Sequence, residues 1–117
     1  AEIARGVLGR GKIEVKYDVS ALRTGNHYCE VASIRPDGSE HDTGLPITEA
    51  RWWAITLPGG VVLAVDTDLL WEYYRSRSWK HLTCDNHGGH YTRGALMRLD
   101  GILTGCIDMA RRGFCAA

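Results

Sequence analysis

Residues 81–90 read HLTCDNHGGH and place His81, Cys84, His87 and His90 at every third position. Imidazole and thiolate are the usual protein ligands of zinc, so this spacing raises a metal site as the first candidate chemistry. A structural zinc site usually joins two ligand pairs a dozen or more residues apart, whereas all four groups here lie within one short stretch. Asn86, Gly88 and Gly89 exclude a regular helix, so the spacing does not gather the four on one face. The expectation is a polar loop between two helices, with zinc at His81, Cys84, His87 and His90 as the alternative.

Hydrolytic motifs are sparse. His-x-Thr occurs at His41, His81 and His90. The run His81-Leu82-Thr83-Cys84 resembles the element of two-histidine phosphoesterases, in which one imidazole serves as base and the other as acid. The resemblance spans four residues and implies a histidine-dependent phosphodiesterase, and Asp42 and Gly44 depart from the pattern in the first copy. The run GVLGRGK, residues 6–12, matches the letters of a phosphate-binding loop. It carries Ile13 where a Ser or Thr should reach magnesium, and it precedes a strand instead of opening a helix, so a nucleotide site is rejected. Gly-x-Ser-x-Gly is absent, and a Cys84–His87 nucleophile pair lacks a third group to orient the base. Asp66 and Asp68 suit a helix cap better than a magnesium site. No catalytic constellation is assigned.

The richest composite feature lies between residues 71 and 93. Trp71, Tyr74, Trp79 and Tyr91 are interleaved with Arg75, Arg77, Lys80 and Arg93. Aromatic and arginine side chains carry most of the energy of protein interfaces, and the same mixture stacks bases and meets phosphates. These eight residues are the candidate partner-binding set, with Leu70 and Tyr73 or Tyr74 as the inward side of their helix.

The elements that must position these groups follow from periodicity. Ile13, Val15, Tyr17 and Val19 alternate with Lys12, Glu14, Lys16 and Asp18, which predicts a strand with its apolar side buried. Pro36, Asp37 and Gly38 predict a hairpin. RWWAITL and VVLAV, residues 51–57 and 61–65, predict strands, the second covered on both faces. Asp66, Thr67 and Asp68 cap a helix over about 68–78. Thr92 caps a second helix over about 93–112, with Leu96, Leu99, Leu103, Cys106 and Ala110 as its apolar stripe, widened by Ile102 and Met109, and Gly113 as its stop. Gly94, Gly101 and Gly105 form a flat strip beside it, read as close packing against the sheet or against Trp52 or Trp53, or as a docking strip for a second subunit in a homodimer. The expected fold is a single α+β domain over 1–117, with an antiparallel sheet of four to five strands (about 12–65), two helices packed on it and a flexible arm at 1–11.

Bulk properties limit the function classes. Formal net charge is zero, which removes the overall attraction that drives non-specific DNA binding. The charge is nonetheless uneven, with residues 30–72 at −6 and residues 73–117 at +4. No apolar run is long enough for a membrane span. Four widely spaced cysteines and an adequate core argue for reduced thiols and a cytoplasmic location. The reading is a small interaction module without catalysis that binds a protein, such as an inhibitor or accessory protein of a mobile element. Nucleic-acid binding by the basic aromatic third is the alternative, and a metal-binding or phosphodiesterase site at 81–90 the second alternative.

Overall fold

The computed structural model describes residues 12–113, and the arm expected at residues 1–11 lies outside them. The fold is α+β. Among the described residues the order is β1 (Ile13–Tyr17), α1 (Ala21–Thr24), β2 (Asn26–Ile34), β3 (Glu40–Asp42), β4 (Trp52–Thr56), β5 (Val62–Asp66), α2 (Thr67–Arg75), β6 (His81–Asp85), β7 (Tyr91–Arg98) and α3 (Leu99–Arg111). Strands β1-β4-β5 form one sheet and β3-β2-β7-β6 another. Every pair is antiparallel except β1 with β4, and these two are joined by the long connection through α1, β2 and β3 that a parallel pair requires.

Local chemistry explains several elements as expected. Arg35 N–H donates to Ser39 O at 2.9 Å and Asp37 accepts from Ser39 N at 2.8 Å, closing the β2–β3 hairpin. Asp66 is the N-cap of α2, with its carboxylate accepting from Asp68 N at 2.9 Å. Leu70 and Tyr73 are the inward residues of that helix.

Four expectations are corrected. First, a hairpin of β6 and β7 stands between α2 and α3, where a loop and the start of a helix were expected. Ala95 and Met97 are both fully buried, which is the two-residue period of a strand. The helical stripe had joined Leu96 to Leu99 and Leu103 across a real boundary at Arg98. Thr92 accordingly caps no helix; its hydroxyl meets the Tyr28 phenol at 2.9 Å. Second, Ile102, Cys106 and Met109 are the buried line of α3, and Leu103 faces outward. Third, β1 presents Ile13, Val15 and Tyr17 to the exterior, while Glu14 and Lys16 are half-buried on the core side. The period showed that the two sides differ, but not which one the core covers. Fourth, Val61 and Val62 are exposed, so the second apolar strand is not covered on both faces.

The glycines are filled from within the chain. A Cβ on Gly94, which lies in β7, would stand 2.5 Å from Tyr28 Cζ, and one on Gly105 would stand 2.1 Å from Tyr73 Cε1. Two tyrosine rings therefore occupy the space, rather than Trp52, Trp53 or a second subunit.

The core packs Cys29, Ala95 and Met97 of the four-stranded sheet against Trp53, Ile55 and Val65 of the other. Leu70, Tyr73, Ile102, Cys106 and Met109 close it from the helices. His27, 1% exposed, sits at the junction of the sheets. Its Nε2 accepts from Trp53 Nε1 at 3.1 Å, and its Nδ1 donates to Asp18 Oδ2 at 3.0 Å. An indole N–H can only donate, so the ring is the neutral tautomer with its proton on Nδ1.

Gly105→Ala should destabilise the protein by about 1–3 kcal/mol in urea unfolding, because the overpacking against Tyr73 outweighs the propensity gain. His27→Ala should cost about 2–4 kcal/mol, since it opens a cavity and leaves the Trp53 donor unsatisfied.

Candidate functional site

Of the eight residues of the aromatic–arginine set, Arg75, Arg77, Lys80 and Tyr91 are exposed, and Trp71, Tyr74, Trp79 and Arg93 are half-buried. Trp71, Tyr74 and Trp79 are half-buried against the core. Their rings stack in a ladder, with centroids 5.7 Å apart for Trp71–Tyr74 and 6.4 Å for Tyr74–Trp79. Their polar ends are spent inside it: Trp79 Nε1 donates to Tyr74 O at 2.7 Å, and Tyr74 Oη meets His81 Nε2 at 2.9 Å. Arg75 lies 5.4 Å from the Trp71 ring and Arg77 4.8 Å from Tyr73, so both guanidiniums lie over rings of their own chain. Arg93 is ion-paired with Glu40. Lys80 and Tyr91 are exposed. Tyr74 thus joins α2 to β6 through His81.

Residues 81–90 do not converge on an ion. Along β6, His81 shares a face with Ala95 and Cys84 faces the opposite side with Thr92. His87 and His90 lie in the tight turn, where His87, Gly88 and Gly89 all have positive φ. Among the described residues no group of three or more His, Cys, Asp or Glu side chains is placed to hold a metal. Burial pushes the Cys29 thiol up to about 12 and the Cys106 thiol up to about 11, so neither is a thiolate nucleophile at neutral pH.

Two other places carry functional geometry. One is a polar cavity of about 250 Å³ lined by Lys16, Asp18, His27, Tyr28 and Glu30, among others. Its lining thus includes one ammonium and two carboxylates, the group types that hold a hydrated divalent cation against an anionic substrate. Asp18 Oδ2 accepts from both His27 Nδ1 and the Tyr28 amide, each at 3.0 Å. Burial pushes the Asp18 carboxyl up, but these bonds together with the Ser20 amide outweigh it and hold the group below its ordinary 3.8. Glu30 sits at a bulge in β2. Gly44 makes that bulge possible, because its φ is +63° and a Cβ there would meet Glu30 O at 2.2 Å. Alternation along residues 12–19 predicts Lys16 and Asp18 on the solvent side of a strand, and their separation from Glu30 carries no local signal of the cavity.

The other is an apolar groove of about 350 Å³ between α3 and the three-stranded sheet. Trp52, Ala64, Leu69, Leu103, Ile107 and Ala110 are among its walls. Leu103 and Ile107 remain 49% and 45% exposed. The Trp52 indole N–H is shut off from solvent and has no acceptor among the described residues. The wrong phase assigned to α3 hid this groove, because it counted Leu103 as core. No helix among the described residues is long and apolar enough to cross a membrane.

No family model, no curated protein and no solved structure matches this chain.

The lowered Asp18 value fixes a pH dependence. The ionised carboxylate is favoured in the folded state, so its contribution is complete above about pH 4 and fades as pH falls through the lower folded value. The stability difference between the native chain and Asp18→Asn should therefore be constant above pH 4 and shrink below it, as read by denaturant unfolding across pH.

Proposed function

We propose that the chain is a non-catalytic protein-binding module that seats an apolar helix of a partner protein between α3 and the three-stranded sheet. The observation that carries this reading is the groove itself, whose rim leaves Leu103 and Ile107 half exposed on a helix that already has a buried line. Leu103, Ile107 and Ala110 follow the three- and four-residue steps by which one helix packs on another. Ala64 and Ala110 are small enough for close approach, and Trp52 supplies the kind of large ring that dominates interface energy. An inhibitor or accessory protein works in this way, by occupying a surface on its partner. Nucleic-acid binding through Arg75, Arg77 and Lys80 has less support, because two of the three cations lie over aromatic rings.

The test is to titrate amphipathic helical peptides with apolar residues at i, i+4 and i+7 while following the four tryptophan indole N–H resonances. Binding should shift the Trp52 resonance, weaken about tenfold or more in Leu103→Asp and Ile107→Asp, and depend only mildly on salt. Shifts confined to Trp71 and Trp79 would return the interface to the stacked ladder. Steep loss of nucleic-acid binding with salt would favour the basic surface.

The polar cavity favours a second reading, cation-assisted hydrolysis of a phosphodiester, with Asp18 and Glu30 as cation ligands and Lys16 on the phosphate. It relocates the phosphodiesterase alternative away from residues 81–90. Magnesium or manganese binding lost in Glu30→Gln, together with cleavage of a phosphodiester substrate, would support it; neither binding nor cleavage in the native chain would end it.

A further inference from the structure

The apolar side of β1 is exposed on an edge strand. Val15 and Tyr17 are 62% and 63% exposed, and among the described residues β1 pairs only with β4. Edge strands are ordinarily blunted by proline, by bulges or by charges on the exposed side. β1 has no proline, and its charges point the other way.

The direction of its main chain is also known. The Lys12 carbonyl accepts from Arg51 and Trp52, and the Asp18 amide donates to Thr56. Even-numbered residues therefore bond β4, so the amides and carbonyls of Ile13, Val15 and Tyr17 point to the open edge.

We propose that this edge pairs antiparallel with β1 of a second copy, about a two-fold axis at Val15. This goes beyond the groove reading, because it uses a different surface and a different partner. In that register Val15 faces Val15, and Ile13 faces Tyr17 of the second copy, as reciprocal hydrogen-bonded pairs that use the outward amides. All six side chains lie on one side of the sheet, and each Ile13–Tyr17 pair is an aliphatic–aromatic pair of the stabilising kind. Between them come the closer, non-hydrogen-bonded positions, where Glu14 faces Lys16 of the second copy, twice over. Glu14 and Lys16 have no ion-pair partner among the described residues, and the Lys16 ammonium lies 5.2 Å from the Trp53 ring centroid, a contact it would share with Glu14 of the second copy. The run Lys-Ile-Glu-Val-Lys-Tyr-Asp, residues 12–18, thus opposes unlike charges at every charged position when reversed on itself. At its ends Lys12 meets Asp18, although that carboxylate is already held by His27. A one-residue slip would destroy this match, so the charges specify the register. The interface is isologous and closes at two copies.

The test is sedimentation velocity on the full chain from micromolar to near-millimolar concentration. The native chain should dimerise. Glu14→Lys and Lys16→Glu should each weaken self-association by about tenfold or more, because each places two like-charged pairs face to face. An equimolar mixture of these two variants should form a heterodimer, and the double variant should self-associate like the native chain. Val15→Lys, at an exposed position outside the core, should be folded by circular dichroism and monomeric. The proposal is overturned by a native chain that stays monomeric throughout, by a dimer indifferent to Val15→Lys, or by single variants that do not associate when mixed although both are folded.

Discussion

Three elements meet at one imidazole. Asp18 follows β1, His27 belongs to β2 and Trp53 to β4, and His27 spends both ring nitrogens in joining them. The Tyr28 amide adds a second bond to Asp18, whereas the apolar contact between the two sheets is non-directional and tolerates sliding. A buried hydrogen-bond chain with a single donor–acceptor order does not, because a displaced ring strands an indole donor or a carboxylate. The chain also sets the orientation of β1. Asp18 continues the pairing with β4 and must face the core to reach His27, so Glu14 and Lys16, at the same parity, face that side as well. Ile13, Val15 and Tyr17 are thereby turned outward. A single polar contact thus overrides what hydrophobic patterning alone would dictate for the strand.

This explains why some of the molecule was legible in the sequence and some was not. The hairpin at Pro36-Asp37-Gly38, the Asp66 cap and the inward Leu70 depend on interactions within a few residues and are legible locally, whereas the choice between Tyr73 and Tyr74 is made only by the structure, which buries Tyr73. The facing of β1 depends on His27 and Trp53, which come nine and 35 residues after Asp18. Local alternation carries no record of such a contact. The β7–α3 boundary failed for another reason. Ala95, Leu96, Met97 and Leu99 satisfy a strand period and a helix period together, and the pairing of β7 with β2 and β6, with the Tyr28 ring over Gly94, decides between them.

The same distinction separates the aromatic–arginine set from the sites that remain. Trp, Tyr and Arg are the residues of interfaces, but also those that fill a gap between a helix and a sheet while keeping one polar end satisfied. Composition cannot tell these apart. Hydrogen bonding can: Trp79 finds an acceptor in the Tyr74 carbonyl and Tyr74 a partner in His81, whereas Trp52 finds none among the described residues. Of the eight residues singled out, Arg75, Arg77, Lys80 and Tyr91 are exposed, and Arg75 and Arg77 lie over aromatic rings. The signal that mattered was an unspent donor and a helix with two apolar lines, not the density of aromatics.

The groove and the β1 edge also have a geometric relation. By register, Ile13 and Val15 share a sheet face with Trp52 and Ala54, and Trp52 and Ala54 share it in turn with Asp66 and Ala64. Trp52 and Ala64 are walls of the groove. An antiparallel pairing of two such sheets has its two-fold axis perpendicular to them, so both grooves open on the same side of one six-stranded sheet. A partner with two apolar helices, or two copies of one partner, then meets a bivalent surface. Joining two modest sites in this way raises binding through effective concentration without a new contact. That removes the difficulty posed by a small groove, which on its own buries too little surface to hold a partner tightly. The exposed strand and the shallow groove are each weak as single features, and the two-fold axis makes them parts of one surface.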